Sequence, residues 1–215
     1  LHRINMQKYS KSYFNWYKDI GKFGGIINQR FFKNYIDQED KVLDFGCGGG
    51  YLIKRLNCKK KYGYEINQYI IKNEKDLKIY SKFSDIKKIK FNKIISNQVL
   101  PHLHNPKQEI INLKKLLKKN GLMIFVFTCD GPKIKYQIND INFKCYSWSP
   151  MGIGNLFSSC GLKVIKSETF LYKWPPFYRK IYGIFGKKFF DIIAFIYGFI
   201  HRNKTWNIRI IAKKL

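Results

Sequence analysis

The sequence predicts an α/β protein built on a doubly wound, mostly parallel sheet. Apolar runs of strand length alternate with helical patterns along the chain, as in sheets whose strands are joined by crossover helices. The run 42–45 passes directly into a glycine-rich turn, 46–50, which indicates a strand followed by a sharp change of direction. The run 122–128 is continuously apolar, which is typical of a strand buried on both faces at the centre of a sheet.

Two helical segments are expected before the first strand. The segment 1–25 is rich in aromatic and basic residues, and Tyr13, Trp16 and Tyr17 fall on one helical face. Residues 26–37 have the apolar spacing of an amphipathic helix.

The remaining elements follow in strict order. Further helices are expected to start near Gly50 and to cover 68–75, 107–119 and 150–161, the last capped by Ser149. Asn120 and Gly121 favour the positive φ that ends the third of these helices. The predicted strands are Lys41–Phe45, 61–65, 78–80, 91–96, 122–128, 162–167 and 206–212.

A long insertion, 170–204, separates the last two predicted strands. It contains an apolar run of about a dozen residues interrupted by Asp191, whereas a bilayer-spanning helix needs roughly twenty. Lysines and Arg202 flank the run. Three interpretations stay open: peripheral membrane contact through 177–202, packing on the substrate side, and a dimer interface.

Composition narrows the class of protein. A length of 215 residues fits a single domain, 1–215, and 45% hydrophobic content is ordinary for a globular chain. The formal charge of +27 comes mostly from lysine, spread along the chain, which favours compositional drift over a nucleic-acid surface without excluding one. Five scattered cysteines and the lack of a signal-peptide pattern at the start predict a cytoplasmic protein with free thiols, possible membrane contact aside.

The glycine-rich turn carries the strongest chemical signal in the sequence. Gly46, Gly48 and Gly50 form the pattern G-x-G-x-G and let a ligand approach the backbone. A dinucleotide fingerprint would need glycine where the chain has Tyr51, so NAD is disfavoured.

Acidic residues complete this pattern. Asp44 precedes the first glycine, and Glu65 ends the second predicted strand. Together these features resemble the class I, Rossmann-like, S-adenosylmethionine-dependent methyltransferases, and the segment 146–161 looks like part of a bacterial subset acting on small molecules or glycans. The resemblance implies a seven-stranded sheet of order 3-2-1-4-5-7-6, with helices on both faces and 170–204 as a helical insertion before the last strand.

The resemblance also implies S-adenosylmethionine as cofactor and assigns its contacts. Asp44 would orient the amino group, Glu65 would accept the ribose hydroxyls, and Asn97 would line the methyl-transfer site. Asp85 and Ile86 would hold adenine. The full set of implied cofactor-binding residues is Asp44, Gly46, Cys47, Gly48, Gly50, Glu65, Ile66, Asp85, Ile86 and Asn97.

His102 is the candidate catalytic base. It lies in Val99-Leu100-Pro101-His102-Leu103, which resembles the family pattern V-L-E-H-L with Pro101 in place of the acid. A structural role for His102, in packing or capping the loop, also stays open. Four histidines, no H-E-x-x-H and no clustered cysteines predict that no metal site exists.

The predicted function is O-methylation of a small-molecule or cell-surface-glycan acceptor. The sequence lacks the N/D-P-P-Y/F motif of amino-methylating nucleic-acid enzymes. An RNA or ribosomal-protein methyltransferase is the alternative, because of the charge. A non-catalytic or membrane-surface module is a second alternative. By the same resemblance, residues 1–25 either form a lid over the ligands or pack on the core.

Overall fold

The structure, a computed structural model, describes residues 11–73, 76–138 and 143–215. Seven strands form one sheet of order β3-β2-β1-β4-β5-β7-β6, which confirms the expected topology. The strands are β1 Lys41–Phe45, β2 Lys60–Tyr64, β3 Lys78–Tyr80, β4 Phe91–Asn97, β5 Leu117–Asp130, β6 Lys163–Phe170 and β7 Thr205–Lys213.

The first five strands are parallel, and β7 runs antiparallel to both β5 and β6. Six helices accompany the sheet in the described residues. They are α1 Lys11–Asn28, α2 Gln68–Asn73, α3 Phe83–Ile86, α4 Pro106–Leu116, α5 Pro150–Ser159 and α6 Tyr178–Ile200. Asn105 caps α4 and Ser149 caps α5, the latter as predicted, by accepting a backbone N–H three residues on.

The central strands bury both faces, because consecutive side chains point to opposite sides of the sheet. Leu43 and Phe125 belong to the core cluster that includes α4 and α5. Val42 and Ile124 belong to the cluster on the other side, which contains Phe32. β5 is therefore continuously apolar because both of its faces are buried, as predicted.

Three of the predicted helices differ from the structure by more than two residues at one end. The segment expected as a helix over 26–37 is the end of α1 followed by two 3₁₀ turns, which bury Phe32 and Ile36. The helix expected near Gly50 is one 3₁₀ turn, Ile53–Arg55, since a single turn suffices to bury Leu52, Ile53 and Leu56. The helix expected to reach 119 ends at Leu116, because the extended Leu117 pairs with Phe91 of β4.

The insertion forms α6 and a connecting segment, residues 171–177, which we call the strap. Gly186, with φ 71° and ψ −176°, interrupts α6 after its second turn. Phe190 and Ala194 of α6 pack with Phe23 and Ile27 of α1 in a third cluster apart from the sheet. The insertion and the N-terminal helix therefore stabilise each other.

The strap lies between α6 and the sheet. The backbone N–H of Lys173 donates to the carbonyl of Ala194 at 3.0 Å, and Asn207 of β7 donates its side-chain amide to the carbonyl of Tyr172 at 2.7 Å. A Cβ added at Gly198 would lie 2.9 Å from the backbone nitrogen of Tyr172. The absence of a side chain at Gly198 allows this close packing.

Arg30 and Asp191 join α6 to the end of α1. Their side chains form an ion pair, and the Tyr172 hydroxyl donates to the same carboxylate at 2.8 Å. Burial alone would raise the pKa of Asp191, but Lys187, Tyr172 and Arg30 hold it below its ordinary value. The insertion is thus anchored by a charged network as well as by apolar contacts.

We expect Gly198→Ala to destabilise the insertion, because the new methyl group would lie 2.9–3.2 Å from backbone atoms of the strap, which would have to shift. The melting temperature should fall by roughly 3–8 °C, equivalent to about 1–3 kcal/mol. Gly183→Ala, in the same helix with nothing within 4 Å of the added Cβ, is the matched control and should leave the melting temperature unchanged or slightly raised. Equal melting temperatures for the two variants would contradict this account of the packing.

Candidate functional site

A cavity of about 370 Å³ opens at the carboxyl end of the parallel strands. Its walls are the glycine turn after β1, the ends of β4 and β5, the start of β7, helix α1 and the strap. The segments 9–25 and 170–204 contribute lining residues, whereas 146–161 contributes none. The volume is in the range of small-molecule sites.

The glycine turn is fixed on the neighbouring strand. The backbone N–H groups of Gly46 and Cys47 both donate to the carbonyl of Tyr64, at 2.8 and 3.1 Å. Gly46 has φ 75°, and a Cβ there would lie 2.2 Å from a methyl group of Val99. Glycine is therefore required by both the conformation and the space.

Asp44 lies at the end of β1 with its side chain in the cavity wall. It is buried, and its Oδ2 has no hydrogen-bond partner among the described residues. Burial, and secondarily the negative charge of Glu65, raises the pKa of Asp44 from 3.8 to about 8. Such a carboxyl group is suited to a ligand that brings a positive charge or several donors.

Asn97, at the end of β4, also has a side-chain oxygen without a hydrogen-bond partner among the residues that the structure describes. Its Oδ1 is buried without a partner in the described part of the chain, and the residue lines the same cavity. Two unsatisfied acceptors facing one cavity fit the ammonium group of an amino-acid moiety, which presents three donors. The residues present therefore fit the methionine portion of S-adenosylmethionine.

Glu65 lies beyond the cavity wall and is held rigidly. Its carboxylate accepts the backbone N–H groups of Gly48 at 2.9 Å, Ile66 at 2.8 Å and Asn67 at 2.9 Å. Burial raises the pKa of Glu65, and these three hydrogen bonds oppose that rise. The carboxylate thus reinforces the turn that Gly48 belongs to.

The other residues that the resemblance assigns to cofactor binding differ in their exposure to solvent. Ile66 is 52% exposed beside Glu65, and Asp85 is exposed in the first turn of α3. Ile86 differs from the expectation, because its side chain is fully buried in the main core and offers no surface to a ligand. Cys47 lines the cavity, while Gly50 packs on Leu77.

His102 does not line the cavity. It ends the 3₁₀ turn Leu100–His102, and its Nδ1 lies 3.5 Å from the carbonyl oxygen of Phe143. The adjacent carbonyl of Pro101 accepts the N–H groups of Cys145 and Tyr146. The geometry therefore associates His102 with the loop around 143–146.

A polar network that the sequence did not indicate forms the floor of the cavity. Gln98, with φ 64°, accepts the N–H of Thr128 at 2.9 Å, and the Thr128 hydroxyl donates to Asn207 at 2.9 Å. Asn207 in turn holds the strap through the carbonyl of Tyr172. No local pattern joins these residues, because one follows β4 and the others lie on β5, β7 and the strap.

Lys173 of the strap lines the cavity, and its Nζ lies 5.9 Å from the centre of the Tyr197 ring. Burial lowers its pKa, and the positive charges of Lys204 and Lys144 lower it further. No ion pair of Lys173 occurs within the described ranges of the chain. The position was hidden in the sequence among 35 lysines, since the three-dimensional course of the strap selects it.

Helix α1 covers the glycine turn through its own glycines. A Cβ at Gly25 would lie 2.3 Å from the carbonyl oxygen of Tyr51, and one at Gly21 would lie 3.0 Å from the Tyr51 ring. Of the segment 1–25 expected as a lid, residues 1–10 lie outside the described residues. The lid interpretation stays a prediction. The part of the segment that the structure describes lines the cavity.

We expect Asp44→Asn to change the pH dependence of stability. The folded chain keeps the Asp44 proton up to about pH 8, whereas the unfolded chain loses it near pH 4, so stability falls as pH rises between these values. The melting temperature of the variant relative to wild type should be higher at pH 8 than at pH 5, by about 4 °C or more. Parallel melting curves of the two proteins across this range would contradict the raised pKa.

Comparisons with known proteins find similarity to methyltransferases. A protein family described as "Methyltransferase domain" matches residues 21–167. The ubiquinone biosynthesis O-methyltransferase of Pelagibacter ubique is 27% identical, over 71% of this chain and 75% of that protein. The protein of the same name from Rickettsia canadensis is 27% identical, over 58% of this chain and 62% of its own length.

Solved structures show the same fold. A SAM-dependent methyltransferase of Thermotoga maritima superposes with a TM-score of 0.66 at 11% identity, covering 98% of this chain and 99% of its own. Coclaurine N-methyltransferase, solved with N-methylheliamine and SAH, superposes with a TM-score of 0.59 at 14% identity, covering 88% and 72%.

Proposed function

The chain belongs to the S-adenosylmethionine-dependent methyltransferases, and we propose that it methylates an oxygen atom of a small, ring-shaped acceptor. When bound, S-adenosylmethionine would supply an electrophilic methyl group. The acceptor oxygen would bond to this group as the methyl–sulfur bond breaks to leave S-adenosylhomocysteine, and the hydroxyl proton of the acceptor would pass to water. The sequence relatives are named O-methyltransferases, which supports oxygen as the methylated atom. The single observation that carries cofactor binding is the pair of unsatisfied buried oxygens on Asp44 and Asn97.

The proposed division of roles follows the geometry of the site. Asp44 and Asn97 would accept hydrogen bonds from the amino group, and the turn 46–50 would lie along the methionine portion. Glu65 would bind the ribose hydroxyls through the lone pairs that its three backbone partners leave unused. Ile66 and Asp85, exposed beyond Glu65, would contact adenine.

The acceptor would occupy the part of the cavity between α1 and the strap. Five aromatic side chains line this cavity, and the ring of Trp174 is fixed by an edge contact with Phe23 at 5.0 Å. The aromatic lining residues are Tyr17, Phe31, Tyr51, Tyr172 and Trp174. Such a lining suits a flat ring, so we propose a phenolic acceptor, with a glycan-type acceptor as the alternative.

Lys173 would assist the chemistry in place of His102. A cation beside the acceptor hydroxyl stabilises its deprotonated, more nucleophilic form. The neighbouring lysines that lower the pKa of Lys173 increase the local positive potential in the same direction. Alignment of the reacting atoms by the rigid cavity supplies the rest.

Calorimetry with S-adenosylhomocysteine tests cofactor binding. We expect binding at pH 7 to release up to one proton, because the ammonium group ionises an Asp44 whose pKa is about 8 in the free chain. Titrations in phosphate and in Tris, which differ in ionisation enthalpy, measure this release. Asp44→Ala should weaken binding by about 10–100-fold, equivalent to ~1.4–2.7 kcal/mol, and should abolish the proton release. Asp130→Ala, which alters a carboxylate paired with Lys144, is the control, and an equal loss in both variants would contradict the role of Asp44.

The acceptor side is tested by turnover of a phenolic probe, catechol, against a sugar probe, methyl glucoside. We expect catechol to be methylated and Lys173→Met to lower kcat by roughly 10–100-fold, with the pH profile displaced to higher pH. Lys173→Arg should restore much of the rate, since it keeps the charge. His102→Asn should have little effect. Methylation of the sugar alone, or a larger loss at His102 than at Lys173, would contradict this assignment.

A further inference from the structure

We propose that the outward side of α6 docks on the surface of an anionic lipid bilayer. Helix α6 is apolar around most of its circumference, although a helix of that kind is normally buried. One side is buried against α1 and the strap through Phe190, Ala194 and Gly198. The opposite side has no covering element in the described part of the chain.

This outward side, which we call the outer face, consists of large apolar side chains at helical spacing. Their exposed fractions range from 44% for Phe189 to 67% for Ile200. The members are Phe185, Phe189, Ile192, Phe195, Ile196, Phe199 and Ile200. Single exposed apolar residues are normal on a protein surface, whereas a contiguous apolar surface of this extent marks an interaction site.

The charges around the outer face identify the kind of partner. Exposed cations precede, interrupt and follow it, and they are Arg179, Lys180, Lys187, Lys188, Arg202 and Lys204. Arg179 is paired with Asp19 and Lys187 with Asp191, and the other four have no ion pair among the described residues. The sequence has one acidic residue between 178 and 204, Asp191, and its carboxylate is bound by Arg30, Tyr172 and Lys187. The outer face is therefore apolar with a basic rim, the combination that binds anionic lipid surfaces.

The same charges disfavour a second copy of the chain as the occupant. Pairing two outer faces would bring two basic rims together on proteins that each carry a formal charge of +27. Like charges across an interface oppose association, whereas anionic headgroups neutralise them. Among the described residues, no helix is both long and apolar enough to cross a membrane, so the proposed contact is in the plane of the surface.

Docking in this orientation would have a consequence for the cavity. The helix turns Ala194–Gly198 that back the outer face also hold the strap, through the Lys173 N–H on the Ala194 carbonyl and the close contact at Gly198. The cavity-lining residues of the strap thus lie directly behind the membrane-facing helix. An acceptor with an apolar portion could remain in the lipid while its reactive ring reaches the cavity.

Flotation of the full chain with lipid vesicles tests the proposal. The probes are vesicles of phosphatidylcholine with about one third phosphatidylglycerol, and vesicles of phosphatidylcholine alone. We expect at least about tenfold stronger partition to the anionic vesicles. The triple variant Ile192→Gln, Ile196→Gln and Phe199→Gln should lose at least about tenfold of that partition.

The matched control replaces three exposed apolar residues elsewhere, Tyr136→Gln, Met151→Gln and Ile165→Gln, and should float like wild type. Unchanged melting temperature and unchanged affinity for S-adenosylhomocysteine in the outer-face variant establish that folding and the cofactor site are intact. They also separate failure of this proposal from failure of the proposed function. Equal flotation of wild type and the outer-face variant, equal binding to neutral vesicles, or a dimer in light scattering that the variant converts to monomer would overturn the proposal.

Discussion

The burial of the Asp44 carboxyl group at the end of the central strand is the constraint on which the site depends. A carboxyl group with an unsatisfied oxygen in that position opposes folding, and its raised pKa expresses the same cost. The surrounding structure holds it there nonetheless, through the hydrogen bonds that tie the glycine turn to β2 and the three N–H donors that fix Glu65. Under the proposed function, the ammonium group of the cofactor would remove this cost, and the free energy released would add to the binding affinity.

Helix α1 and the strap both line the cavity that contains this carboxyl group. The glycines of α1 allow its backbone to approach Tyr51, and the α6 helix packs against α1 through Phe23 and Phe190 at 5.5 Å. The strap between them carries Trp174 and Lys173 to the cavity. The glycine turn, the cavity and the insertion are therefore in contact with one another, even though they come from distant parts of the sequence.

The sheet could be predicted because its causes are local. Strand β1 was predicted with the observed bounds, and the apolar pattern of β5 identified its central position. Helix lengths were less accurate, since tertiary burial of Leu52, Ile53 and Leu56 needed one turn and not a helix. The glycine pattern and Asp44 could be recognised for a similar reason. A positive φ and a close approach of other atoms both require glycine, so the turn is visible in the sequence.

The remaining residues that line the cavity could not be predicted from the sequence in this way. Gln98, Thr128, Asn207 and Lys173 converge only through the sheet order and the course of the strap, and each is an ordinary polar residue in its own segment. His102 follows a familiar pattern in the sequence, yet the 3₁₀ turn directs it to the carbonyl of Phe143. The insertion was recognised as apolar, but the division of α6 into a buried side and an outer face required the packing of Phe190 and Ala194.

The central claim is that Asp44 is held protonated until the cofactor ionises it. Carbon-13 NMR of the aspartate side-chain carboxyl groups, with the Asp44 signal assigned by its loss in Asp44→Asn, measures this directly. The account predicts titration near pH 8 in the free chain and an ionised carboxylate between about pH 6 and 8 when S-adenosylhomocysteine is bound. A free-chain titration near pH 4, or one that the ligand leaves unchanged, would contradict it.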